Sequence, residues 1–137
     1  MSVDLLGGRT WQVITKALDA AGLRQRVIAH NVANLNTPGY KKYQVRFEEE
    51  LRSALRATSL ALYRTHPDHF DAQPRLETVA PRVMRDAATS SRPDGNNVDL
   101  NEQMVQLAMN SLYYNVAAQA ASGYLARLRY VISGGRR

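Results

Sequence analysis

The stretch DLNEQMVQLAMNSLYYNVAAQAASGYLARLRYVIS, residues 99–133, decides the fold. Within it Leu100, Met104, Leu107, Ser111, Tyr114, Ala118, Ala121, Leu125, Leu128 and Ile132 recur at intervals of three and four. That is the spacing of a helix that turns one seam toward a partner helix. Asp99 and Glu102 have the form of a capping box at its start, the aspartate on free N–H groups of the first turn and Glu102 reaching back to the Asp99 backbone. Gly134-Gly135 stops the helix near Ser133, and Arg136-Arg137 place positive charge beyond its negative end.

The other end of the chain repeats the pattern. Trp11, Ile14, Leu18, Ala21, Gln25, Ile28, Val32 and Leu35 predict a helix from Thr10, read as its N-cap, to Asn34, about 37 Å long. Gln25 interrupts this seam, and Gly22 weakens the helix by up to about 1 kcal/mol relative to alanine. Asn34 suits the left-handed conformation that closes many helices, and Pro38-Gly39 suits the centre of a type II turn. Tyr43, Val45 and Phe47 alternate with Gln44 and Arg46, which predicts a short extended piece. Phe47, Leu51 and Leu55 then share one face of a short helix. Further on, Pro67, Pro74, Pro81 and Pro93 forbid a long helix, residues 88–97 are rich in turn formers, and Leu76, Val79 and Val83 support a short strand or hairpin.

The expected organisation is a flexible N-terminus (1–9), a helix (10–35), a turn and short helix (36–62), a flexible proline-containing middle (63–98), a second long helix (99–133) and a tail (134–137). The fold class is mainly α: two long terminal helices forming a coiled-coil-type pair, with a partly disordered middle that contains short extended or β segments. The helices can pair within one chain as an antiparallel hairpin or between chains. The small side chains Ala117, Ala118, Ala120, Ala121 and Ser122 let a further helix approach closely.

Composition narrows the function classes. The 137 residues are 45% hydrophobic, with two Phe and one Trp, so a large globular core is not expected. Cysteine is absent, which excludes disulfides and thiolate metal sites. The net charge of +6 fits nucleic acid, an anionic membrane surface or an acidic partner without choosing among them. Lys41-Lys42 between Tyr40 and Tyr43 suits phosphate binding with base stacking. The other basic residues are interleaved with acids, and nucleic acid is not expected as a partner. His66-Pro67-Asp68-His69 pairs two histidines with no third ligand nearby and reads as a turn, and His30 lies off the helix seam. No Gly-x-Ser-x-Gly elbow, phosphate loop or dinucleotide fingerprint occurs, and Glu48-Glu49-Glu50 reads as a solvated helix face. No enzyme activity, metal or cofactor is therefore expected. The first ten residues do not form a cleavable signal, and no run approaches the roughly 18–20 apolar residues of a membrane span. Membrane insertion is not expected, and on these grounds alone the chain reads as cytosolic.

The segment Asn31-Val32-Ala33-Asn34-Leu35-Asn36-Thr37-Pro38-Gly39-Tyr40 resembles the signature of the bacterial flagellar rod and hook proteins, Asn-x-Ala-Asn-x-x-Thr-Pro-Gly-Tyr directly after the first helix. Asp94-Gly95-Asn96-Asn97-Val98-Asp99-Leu100 with Glu102 and Met104, the mid-chain Arg64-Thr65-His66-Pro67-Asp68-His69 and the short length look closest to the proximal rod members of that family. The resemblance implies a structural protein whose terminal helices pack as coiled coils in concentric helical layers around the hollow drive shaft of the flagellum. It implies assembly through Trp11, Ile14, Leu18, Ile28 and Val32 of the first helix and the seam of the second. The implied partners are further copies of the chain, other rod proteins, the membrane-ring adaptor FliE and the flagellar type III export apparatus. Export without a cleaved signal would reverse the cytosolic reading and place the protein in the basal body, periplasmic where the host has an outer membrane. Phe47-Glu48-Glu49-Glu50-Leu51 resembles the Phe-x-x-x-aliphatic element of early export substrates, and packing of Phe47 on Leu51 is the plainer reading. Two other classes stay open: a basic helical nucleic-acid-binding protein, and a self-contained helical adaptor or chaperone.

Overall fold

A computed structural model describes residues 8–57, 76–87 and 92–134. In chain order these form α1 (Arg9–Ala33), β1 (Tyr43–Arg46), α2 (Glu48–Ala57), a single 3₁₀ turn (Leu76–Thr78), β2 (Arg82–Arg85) and α3 (Leu100–Ile132). The fold is mainly α, with two long terminal helices and a small antiparallel sheet between them. His66 and His69 lie outside the described residues.

The two long helices run antiparallel. Trp11 near the start of α1 stacks on Tyr124 late in α3, with ring centroids 5.4 Å apart. Midway, the Asn110 amide donates to the Ala21 carbonyl at 2.9 Å, and at the far end Asn31 donates to Gln103 at 3.0 Å. Of the two pairings the sequence allows, the structure shows the hairpin within one chain.

The opposite face of α1 carries the small core. Ala20, Phe47, Ala54 and Val79 are buried together, and Leu51 packs against them. The Lys16 ammonium reaches across to the carbonyls of Glu77 and Val79, at 3.1 and 2.6 Å, and so ties the 3₁₀ turn to α1. Arg24 pairs with Glu48 at the head of α2. α1 is thus the middle layer, with α3 on one side and α2 with the 3₁₀ turn on the other.

β1 and β2 pair antiparallel, with Val45 opposite Val83 and Tyr43 opposite Arg85. The pairing joins segments about forty residues apart in sequence: of the short strand or hairpin that Leu76, Val79 and Val83 suggested, the strand forms around Val83, and Leu76 lies in the 3₁₀ turn. All four β2 side chains are exposed. Two strands alone are marginal in water, and this ribbon is held at its end by the Asp86 N–H on the Lys42 carbonyl (2.8 Å) and by the Asn97 amide on the Asp86 carbonyl (3.1 Å).

Helix ends depart from the sequence reading in three places. α1 starts at Arg9 with Gly8 as N-cap, two residues before the expected cap Thr10. The Arg9 guanidinium holds the Leu55 carbonyl at 3.0 Å, and the Gly8 backbone passes so close to Tyr124 that a Cβ there would meet the hydroxyl at 3.0 Å. Tertiary contact, not a hydroxyl cap, sets this end. At the other end Asn34 has φ −102° and is not left-handed. Its amide instead donates to the His30 carbonyl at 2.8 Å, covering an acceptor that the helix end would leave open. At the start of α3, Asp99 accepts from the N–H groups of Asn101 and Glu102 at 2.8 and 3.4 Å. Only half of the capping box forms, because the Glu102 carboxylate is taken by the Lys42 ammonium at 2.8 and 2.9 Å.

Candidate functional site

The two sequence motifs that carried the family resemblance lie against each other. The turn after α1 and the segment leading into α3, some sixty residues apart in the chain, form one polar joint. Gly39 has φ +70°, a conformation that costs L side chains about 1–2 kcal/mol. The Tyr40 N–H closes the turn on the Thr37 carbonyl at 3.3 Å, and the Gly39 N–H bonds to the Asp94 carbonyl at 2.8 Å.

Three asparagines bind the joint. Asn31, buried in the last turn of α1, uses all four of its hydrogen-bonding positions. Its amide donates to the Tyr43 carbonyl (2.8 Å) and to Gln103 (3.0 Å), and its oxygen accepts from the Tyr43 N–H (2.9 Å) and the Tyr40 hydroxyl (3.1 Å). One side chain therefore links α1, β1 and α3. The Asn31 oxygen only accepts, so the Tyr40 proton points to it. His30 Nδ1, 2.9 Å from the same hydroxyl, must then carry the hydrogen it donates. Asn96 is fully buried, and its amide meets the carbonyls of Asn34, Leu35 and Thr37 at 2.9–3.0 Å. Asn97 accepts from the Lys42 N–H at 2.7 Å. Residues 92–98, within the span read as flexible, are thus tied into the joint. Asn34 and Thr37 bond to each other, and Asn36, Pro38 and Gly39 are exposed at the tip of the turn.

Electrostatics follow from these contacts. Burial, then the neighbouring Tyr43, raises the Tyr40 hydroxyl above its ordinary value. The Asn96 N–H holds the Asp94 carboxyl below its own against the opposing effect of burial, and Arg92 adds to the lowering. Lys42, between Glu102 and Asp86, is committed to an internal ion pair. Tyr43 packs edge to face with Tyr40 and with His30, and the His30 and Tyr40 rings are tilted against each other. Lys42, Tyr40 and Tyr43, three members of the cluster that suited a phosphate and a base, are therefore used inside the fold.

The second part of the site is α3. The positions facing α1 are Gln103, Leu107, Asn110, Ala117, Ala121, Tyr124 and Leu128, and the two buried ones, Gln103 and Asn110, are polar. Among the described residues the Asn110 oxygen is a buried acceptor without a partner. It lies beside an open groove of about 240 Å³ lined by Val27, Ile28, Tyr43, Val45, Met109 and Tyr113. Leu107, Ala118, Ala121 and Leu128 of the sequence-read seam are half-buried, whereas Leu100, Met104, Tyr114, Leu125 and Ile132 are exposed. On α1, Ile28 is buried and Trp11, Ile14, Leu18 and Val32 are half-buried. Periodicity missed Gln103 and Asn110 because it scores apolar side chains. Their signal was positional: both fall on the four-three repeat of the inner face. Phe47 is 3% exposed and Leu51 packs beside it, so the folded chain hides this pair in the core.

These features, two long helices joined through an Asn-rich turn with one helix largely uncovered, belong to a class that sequence comparison identifies. The family profile described as "Flagella basal body rod protein" matches residues 12–41, which span most of α1 and the turn. Curated relatives named "Flagellar basal body rod protein FlgB" match almost the whole chain. The Bacillus subtilis (strain 168) protein is 32% identical over 128 residues, covering 93% of this chain and 95% of its own. The Borrelia hermsii protein is 34% identical, covering 96% of each, and the Escherichia coli (strain K12) protein is 35% identical, covering 88% and 90%. The chain belongs to the FlgB family of flagellar basal body rod proteins, a family of structural proteins.

Proposed function

We propose that the chain is a structural subunit of the proximal rod, assembling through its terminal helices into the hollow shaft that transmits torque. The observation that carries this is α3. Its inner face meets α1, yet Val105, Met109, Leu112, Val116, Tyr130 and Val131 on one stripe of the helix are 49–69% exposed, and Leu100, Met104, Tyr114, Leu125 and Ile132 on another are 40–74% exposed. A helix apolar all round is a helix covered on several sides. Neighbouring subunits supply the cover, and Leu100, Met104, Tyr114, Leu125 and Ile132 belong to this assembly surface together with the half-buried seam. The polar joint acts as the bracket that holds α1, the sheet and α3 at a fixed angle, so that load on one helix reaches the other.

The partners under this reading are further copies of the chain, other rod proteins, the membrane-ring adaptor FliE and the type III export apparatus. The working location is the basal body, within the periplasm where an outer membrane exists, reached without a cleaved signal. No helix among the described residues is long and apolar enough to cross a membrane. Phe47 and Leu51 serve as the export element only before folding, since the native core buries Phe47. The reading is tested by complementing a host that lacks its own copy of the gene. The chain should appear in purified basal bodies and restore swimming. Its absence from them, with normal expression, overturns the reading.

A further inference from the structure

The two edges of the small sheet are finished differently. The Asp86 N–H on the Lys42 carbonyl makes Lys42 and Asp86 a hydrogen-bonded pair, so Tyr43 with Arg85 and Val45 with Val83 are non-hydrogen-bonded pairs. The backbone N–H and C=O groups of those four residues therefore point away from the other strand, out of the two edges of the ribbon. On the β1 edge the Asn31 amide meets both outward groups of Tyr43, donating to its carbonyl at 2.8 Å and accepting from its N–H at 2.9 Å. On the β2 edge, among the described residues, no hydrogen bond reaches the outward groups of Val83 and Arg85. Pro81 is next in the outward series and has no N–H, so the donors of this edge are Val83 and Arg85. An edge with unpaired backbone groups is a template for a further strand.

Charge and side-chain alternation say what that strand is. Arg82 and Met84 share one face of the ribbon with Gln44 and Arg46, and Val83 and Arg85 share the other with Tyr43 and Val45. Arg46 stands directly opposite Arg82, an unfavourable placement of like charges. Arg82 is 74% exposed, and its ion pair with Glu50, at 3.5 Å, is a surface contact that offsets little of this. Among the described residues no acid pairs with the exposed Arg85. Between the two arginines Val83 and Met84 are 46% and 47% exposed. We propose that the free edge of β2 binds an extended segment of a partner protein that reads acid-apolar-apolar-acid. The acids lie opposite Arg82 and Arg85 and the apolar pair opposite Val83 and Met84, and the pattern is the same in either strand direction. Main-chain bonds to Val83 and Arg85 hold the segment, and the flanking charges select it. Another copy of the chain does not supply this pattern. Its acids that stand three apart, Asp68 with Asp71 and Asp99 with Glu102, enclose His69-Phe70 and Leu100-Asn101. The edge belongs to the single chain, so binding there is independent of assembly into a rod.

The probe is a short synthetic peptide with Glu-Val-Val-Glu at its centre and a fluorescein label, titrated with the purified full chain and followed by anisotropy. A Lys-Val-Val-Lys peptide, and the Glu-Val-Val-Glu peptide methylated on both valine nitrogens, should each bind at least about tenfold more weakly. Val83→Pro removes an outward donor and no bond to β1, so it should weaken binding by about tenfold while the chain stays folded. Where that variant does not fold, the methylated peptide tests the same strand pairing. Arg82→Glu/Arg85→Glu should reverse the preference and take the Lys-Val-Val-Lys peptide. Equal binding of the methylated peptide, or unchanged binding to folded Val83→Pro, shows charge attraction without strand pairing. Equal binding of the lysine peptide shows contact without charge selection. Each of these results overturns the proposal, and so does the absence of binding at about 1 mM chain. A chain that binds the peptide as expected yet is missing from basal bodies removes the rod reading and leaves the edge site standing.

Discussion

The joint between the first turn and the head of α3 is polar and finished, whereas the outer face of α3 is apolar and open. In the joint, Asn31, Asn96 and Asn97 spend their amides on backbone groups of three segments. On the outer face Leu112 and Val116 are 66% and 65% exposed. The contrast separates two kinds of specificity. Buried hydrogen bonds are directional, and a single unmade one costs about 1–3 kcal/mol, so the joint admits one geometry within one chain. Apolar burial is non-directional, so the outer face requires only a surface of matching shape, which another chain can bring.

The sharpest way to break this contrast is to mutate each side. Asn31→Leu leaves Tyr43, Gln103 and Tyr40 without their partner and should destabilise the isolated chain by about 3 kcal/mol or more, read from urea unfolding. Leu112→Asp should leave that unfolding curve within about 0.5 kcal/mol of the unmodified chain while abolishing entry into basal bodies and swimming. Leu125→Asp should behave in the same way, whereas Leu107→Asp, half-buried toward α1, should lower both stability and incorporation. If Leu112→Asp unfolds the chain, the outer face is not independent of the fold. Smaller in effect, Gly39→Ala should cost about 1–2 kcal/mol, because a Cβ has room there but the positive φ remains. Lys42→Met frees Glu102 from its main partner and should cost about 1 kcal/mol, a loss that shrinks at high salt because the carboxylate is partly solvated.

The smallest expected effect is a pH dependence. Tyr40 has its folded-state pKa raised above the ordinary value of 10.0, mainly by burial. Its contribution to stability is complete below that value and is lost as pH rises through the folded pKa. Ultraviolet titration should show a component that ionises later than free tyrosine, and Tyr40→Phe should remove it. Its persistence in that variant would assign the late ionisation elsewhere.

Much of the architecture was legible in the residues. The three-four spacing of Trp11, Ile14, Leu18 and Ile28 and that of Leu107, Ala121 and Leu128 marks both long helices, and Asp99 marks where the second begins. The Pro38-Gly39 turn reads from the chemistry of its two central residues, and Gly39 does adopt the positive φ. These are local properties, fixed by side-chain period and backbone sterics. What the spacing could not show is which stripe of α3 meets α1. The helix is apolar on nearly every side, so periodicity names no single face, and the buried positions went to Gln103 and Asn110, chosen by hydrogen bonds to α1. Nor could it show that Glu102 abandons the Asp99 backbone for Lys42, or that residues 92–98 close onto the turn. The sequence alone determined the helices, the turn and the family to which they belong. The partners of the asparagines and of Glu102 were decided only by the tertiary structure, because a directional polar bond depends on which distant segment arrives beside it.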